Sequence, residues 1–163
     1  MDPLEGLRNA DREASQDVDA IVRATQAMRG ETPAPGVVKQ AAVKTCLIVD
    51  DSRVIRKVSS KIVTALGYKV IEAQDGIEGL AHCKKAMPHI VLTDWDMPEM
   101  DGLEFVKQLR AIPTEKAPAV VFCTSKSKAA DVQAGVRAGA NDYIVKPFTE
   151  EALRAKLERL GRG

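Results

Sequence analysis

From about residue 44 onward the chain alternates between two kinds of hydrophobic pattern. Short runs dominated by consecutive apolar residues, many of them β-branched, occupy 44–49, 68–73, 90–93, 119–123 and 142–145. Between and after them lie longer stretches of helical pattern at 52–66, 75–87, 102–111, 127–138 and 149–160. The first kind predicts strands buried on both faces, and the second predicts helices with one buried face. Punctuation agrees with this division. Ser52 and Thr149 stand where an N-cap belongs, Glu151 falls in a first turn, Gly67 and Gly139 follow two helices, and Pro88 ends another. Gly76 and Gly79 weaken the second of these helices.

Five strand–helix units in alternation predict an α/β fold with a five-stranded parallel sheet, because helices on both faces leave no side for polar residues. Right-handed crossovers restrict such a chain to a few doubly wound topologies. Their ligands sit beyond the carboxyl ends of the strands, where the winding direction switches.

The first 42 residues follow another pattern. Residues 30–36 contain two prolines and two glycines, which defeat both helix and strand and predict a linker. Ahead of it, Val18, Ile21, Val22, Thr25 and Met28 share one face of a helix predicted over 15–29, too short to be stable without something to pack on. The expected organisation is an N-terminal extension over 1–42 and a compact domain over 43–161.

Composition narrows the functional classes. A formal charge of +1 offers no global field to attract nucleic acid or an anionic membrane. No apolar run approaches the roughly 20 residues that span a bilayer, and the acidic N-terminus has no secretory-signal core, so a cytoplasmic protein is expected. Cys46, Cys83 and Cys123 lack metal-site spacing and read as reduced, buried thiols. His82 and His89 flank Pro88 at a helix end or surface, with no sign of a phosphohistidine bundle.

The chemistry gathers at strand ends. Asp50-Asp51 closes the first strand, Asp94-Trp95-Asp96 the third, Thr124 the fourth and Lys146-Pro147 the fifth. Two adjacent carboxylates repel unless a cation intervenes, and a hard ion such as Mg²⁺ prefers such oxygen donors. A carboxylate such as that of Asp94 can attack phosphorus to give an acyl phosphate, with a metal and a lysine neutralising charge. The Thr124 hydroxyl is placed to donate to a phosphoryl oxygen. The residue before a proline favours extended backbone, which holds the Lys146 ammonium toward the carboxylates.

The stretch from about residue 44 to 160 resembles the receiver domain of two-component response regulators, of the single-domain CheY type. The resemblance is carried by LIVDDS, TDWDMPEMDG, VVFCTS, AGANDYIVKPF and the closing amphipathic helix. It implies a flavodoxin-like sheet of order 2-1-3-4-5 with five helices. It also implies a chemotaxis-like signalling switch phosphorylated on Asp94 by a histidine kinase or phosphotransfer protein. By the same resemblance Asp51, Asp94 and the backbone carbonyl of Asp96 bind Mg²⁺, with Asp50 acting through water. Thr124 and Lys146 engage the phosphoryl group, and Tyr143 and Thr124 form the switch. Asp96 departs from the asparagine common two residues after the phosphoacceptor; it adds a carboxylate that Lys126 is placed to pair.

Output is expected through a partner protein contacting the fourth-helix, fifth-strand, fifth-helix face. Only three residues follow the last predicted helix, so no DNA-binding module is expected there. The segment Asp17-Val18-Asp19-Ala20-Ile21-Val22 resembles the acidic-apolar helical peptides that grip CheY-type receivers. Val18, Asp19, Ile21 and Val22 are accordingly expected to dock on that face of the same chain or of a second copy. An aspartate-nucleophile phosphatase of the haloacid dehalogenase type shares the DxD pattern, but the order of its acidic residues along the chain differs. A pseudo-receiver adaptor is the remaining alternative. The chain is therefore expected to catalyse only its own phosphorylation and dephosphorylation.

Overall fold

The computed structural model describes residues 18–27 and 44–162. The linker at 30–36, the ends of the helix predicted over 15–29 and the boundary at 42–43 lie outside the described residues. Helix α1 spans residues 18–27. After it come β1 (Thr45–Val49), α2 (Arg53–Ala65), β2 (Lys69–Ala73), α3 (Gly76–Lys85) and β3 (Ile90–Thr93). The chain continues through α4 (Gly102–Arg110), β4 (Ala119–Thr124), α5 (Ala129–Ala138), β5 (Asp142–Val145) and α6 (Glu150–Arg162). The sheet is parallel with order β2-β1-β3-β4-β5. The five expected helices are α2 to α6, and the sixth is the N-terminal α1.

Local chemistry sets the helix starts. The Ser52, Asp75 and Asp101 side chains each accept a backbone N–H three residues on, capping α2, α3 and α4. Thr149 accepts the Ala152 N–H at 3.0 Å and so caps α6. Gly67 follows α2 with φ +98°, a conformation that costs glycine little.

Alternate strand residues feed two cores, as the period of two in a strand requires. On one side Leu47, Val49, Val91, Val120, Phe122 and Tyr143 pack with residues of α3, α4 and α5. On the other, Cys46, Ile48, Leu92, Val121, Cys123 and Ile144 pack with α2 and α6. Both faces are covered, so the strands could be apolar throughout. Strand β5 is an outer strand, and α1 reaches both of its flanks. Val18 and Val22 join the α5-side core, while Asp19 pairs with Lys156 of α6.

Candidate functional site

Register aligns the carboxyl edge. Val49 of β1 pairs with Thr93 of β3, so Asp50 and Asp94 emerge side by side one residue later. The ladder continues through them, with Asp94 N–H donating to the Val49 carbonyl at 2.9 Å and Asp50 N–H to that of Ala73 at 3.1 Å. Two strands away, Thr124 pairs with Val145, and Lys146 N–H donates to the Thr124 carbonyl at 2.8 Å. Strand β1 feeds α2 on one face and β3 feeds α4 on the other. The acidic residues thus lie where the winding reverses.

Three carboxylates meet there. Asp50, Asp51 and Asp94 each offer an oxygen within 4.8 Å of the others, with Asp50 and Asp94 buried and Asp51 exposed. The Lys146 ammonium stands 2.9 Å from Asp50 Oδ2 and 3.3 Å from Asp94 Oδ2. Asp50 Oδ1 accepts the Ser52 N–H at 2.8 Å, and Arg56 donates to the Asp50 carbonyl at 2.6 Å. Asp94 Oδ1 accepts the Trp95 N–H at 2.7 Å. These bonds fix both buried carboxylates and leave Asp51 facing solvent.

One ammonium does not balance three carboxylates. Burial, with the Asp50 charge adding to it, lifts the Asp94 carboxyl above its ordinary range, although Lys146 and the Trp95 N–H pull the other way. Burial opposes the charge on Lys146, but its hydrogen bond to Asp50 and the fields of Asp50 and Asp94 outweigh it, raising the ammonium's pKa. Hard oxygen donors in excess of positive charge, open on the Asp51 side, fit a divalent cation.

Thr124 is fully buried, its Oγ1 accepting the Lys126 N–H at 3.3 Å. Asp96 is exposed, and its carboxylate lies 3.8 Å from Lys126. Tyr143 is wholly buried, and its hydroxyl donates to the Lys126 carbonyl at 2.8 Å. The structure therefore brings together Asp50, Asp51, Asp94 and Lys146, sets Thr124 at the neighbouring strand end, and turns the Asp96 side chain outward toward Lys126. Val18 and Val22 are buried, while Asp19 and Ile21 are partly buried. All three thiols are free and buried, and burial lifts Cys83 to about 11 and Cys123 to about 12, so none competes as a nucleophile at neutral pH.

Two contributors were not singled out from the sequence. Trp95, beside Asp94, is buried against Phe122 at 5.2 Å between ring centres, and Phe122 meets Tyr143 in a tilted contact at 5.8 Å. An aromatic row thus links the pocket to β5. Gly102 is the other. Its N–H donates to the Trp95 carbonyl at 2.7 Å, and a Cβ there would collide with the Asp94 carbonyl oxygen and lie 2.9 Å from Trp95 Cα. The glycine in MDG lets the loop return close enough to hold Asp94.

These features define a class. The chain belongs to the response regulator receiver domain family, whose model matches residues 46–158. Within it the chain is CheY-like, of the kind that acts as a phosphorylation-activated switch in two-component signalling. It is 40% identical to chemotaxis protein CheY1 of Helicobacter pylori over 69% of this chain and 92% of that protein. It is 41% identical to a CheY homolog of Campylobacter jejuni over 72% of this chain and 92% of that protein. The solved structure of Vibrio cholerae CheY4 superposes with a TM-score of 0.69 at 37% identity, over 73% of this chain and 99% of that one.

Proposed function

We propose that Asp94 is the phosphoacceptor of this switch, loaded by a histidine kinase or phosphotransfer protein in the cytoplasm. A carboxylate oxygen of Asp94 attacks phosphorus, the bond from phosphorus to the donor imidazole breaks, and the imidazole leaves with its electron pair. Lys146, within 3.3 Å of Asp94 Oδ2, is the cation that meets the incoming phosphoryl oxygens. The Thr124 hydroxyl donates to one of them, and Lys126 balances the outlying carboxylate of Asp96. Mg²⁺ bound by Asp51, Asp94 and the Asp96 carbonyl, with Asp50 acting through water, would offset the remaining negative charge and align the phosphoryl group.

Drawing Thr124 toward the phosphoryl group changes the packing beside Tyr143 and biases an existing equilibrium at the β5–α5–α6 face. A downstream protein reads that face. The chain acts through protein contact, without nucleic-acid binding or turnover of an external substrate, and no described helix is long and apolar enough to cross a membrane.

The observation that carries this reading is the Lys146 ammonium held between Asp50 and Asp94 within a three-carboxylate pocket. Incubation with a small phosphodonor and Mg²⁺, followed by intact mass, is expected to give one phosphoryl adduct that Asp94→Asn abolishes. No adduct on the unmodified protein, or an undiminished one on the variant, would overturn the assignment.

A further inference from the structure

Helix α1 is an addition to a receiver that is whole without it. The family match begins at residue 46, and the Vibrio cholerae receiver is matched over 99% of its length by 73% of this chain. Yet α1 is seated in the fold. Val18 and Val22, one helical turn apart, are 9% and 4% exposed and share a core with Val132, Val136, Ala140 and Tyr143. Asp19 pairs with Lys156 and lies 3.8 Å from Arg159. The Gln26 amide donates to the Asn141 carbonyl at 2.9 Å. The polar contacts fall on the residue before β5 and on α6, and the two valines enter the core that α5 and β5 line.

We propose that α1 is a displaceable occupant of the β5–α5–α6 face, held there through Val18, Asp19 and Val22 and withholding the face from any other helix while it is docked. Displacement is feasible because the buried Lys156 and the exposed Arg159 also hold Asp142, at 2.9 and 2.7 Å, so departure of Asp19 leaves neither cation without a carboxylate. A lone helix of the length predicted over 15–29 is marginal in water and gains its order from packing. Sharing one chain with its site, it re-docks at an effective concentration on the order of millimolar. An outside helix therefore meets a face that is free only part of the time, and its apparent affinity falls by that fraction.

The inference deepens the proposed output role of this face, but its test reads occupancy without any phosphorylation. A fluorescein-labelled peptide of residues 15–29 is titrated by anisotropy into the full chain and into its Val18→Asp/Val22→Asp variant. The variant, with its own helix expelled, is expected to bind the peptide about tenfold more tightly or better. Asp19→Arg, which sets a third cation against Lys156 and Arg159, shifts affinity the same way by a smaller factor, and decides the matter if the double variant does not fold. Equal affinity for the folded variants and the unmodified chain, or a peptide that binds none of them, would overturn the proposal. Absence of a phosphoryl adduct on the unmodified chain would instead count against the phosphoacceptor assignment.

Discussion

Strand β5 carries a cluster of charges at each end, and the two clusters are built on different arithmetic. At its start, Asp142 meets Lys156 and Arg159, with Asp19 arriving from α1. Two acids face two bases, and every charge has an opposite. Just past its end, Lys146 is, among the described residues, the one cation paired with the carboxylates of Asp50 and Asp94, with Asp51 beside them. The balanced cluster is a fastening: it ties α6 and α1 to the sheet and needs nothing further. The unbalanced one is held together by the surrounding backbone at a cost, and relief comes only from a cation or a change at Asp94. Excess like charge in a partly buried place marks chemistry, whereas matched charge marks architecture.

The contrast is open to test, beginning with the largest effect. Lys146→Ala strips the ammonium that pairs with both buried carboxylates and is expected to destabilise the metal-free protein by about 3 kcal/mol. Urea unfolding checks this, and saturating Mg²⁺ should recover much of the loss; a decrement that Mg²⁺ leaves untouched would argue against shared electrostatics. Asp142→Asn comes next. It weakens charge-assisted bonds from Lys156 and Arg159 and should cost about 2 kcal/mol, with no recovery by Mg²⁺.

The same exchange at the other cluster should have the opposite sign. Asp94→Asn is expected to stabilise the metal-free protein at neutral pH by about 1 kcal/mol, or roughly 3 °C in Tm. Because the folded protein raises the Asp94 carboxyl, the stability linked to its proton is fully present below the unfolded carboxyl range. It is lost as pH rises through the elevated folded value. The advantage of the asparagine should therefore vanish as the pH is lowered through that range, and thermal melts at several pH values measure it. The smallest effect belongs to Asp96→Asn: its carboxylate is exposed and 3.8 Å from Lys126, so stability should stay within about 0.5 kcal/mol.

Much of this was legible before coordinates. The runs at 90–93 and 142–145 are strands with those bounds, and Ser52 and Thr149 cap helices, because caps and strand periods are local rules. The pocket was legible for a related reason. In a parallel sheet the residue after each strand goes to one edge, so Asp50, Asp94 and Lys146 needed only strand assignments to converge. What escaped were features set by tertiary closeness. The burial of Trp95 depends on Phe122, 27 positions on, and the need for glycine at 102 arises only when the loop folds back on Asp94. The amphipathic face around Val18 and Val22 was visible as a pattern, but the pairing of Asp19 with Lys156 spans 137 positions and leaves no mark in either neighbourhood.

Trp95 has a practical consequence. It is the chain's single tryptophan, adjoining Asp94, packed on Phe122 and with the Lys126 ammonium 5.6 Å from its ring centre. Indole emission responds to nearby charge and polarity, so the protein carries its own optical gauge at the point where charge is expected to change. Titrating magnesium or a phosphodonor while watching that emission would report binding and turnover in real time, without a dye and without altering a residue.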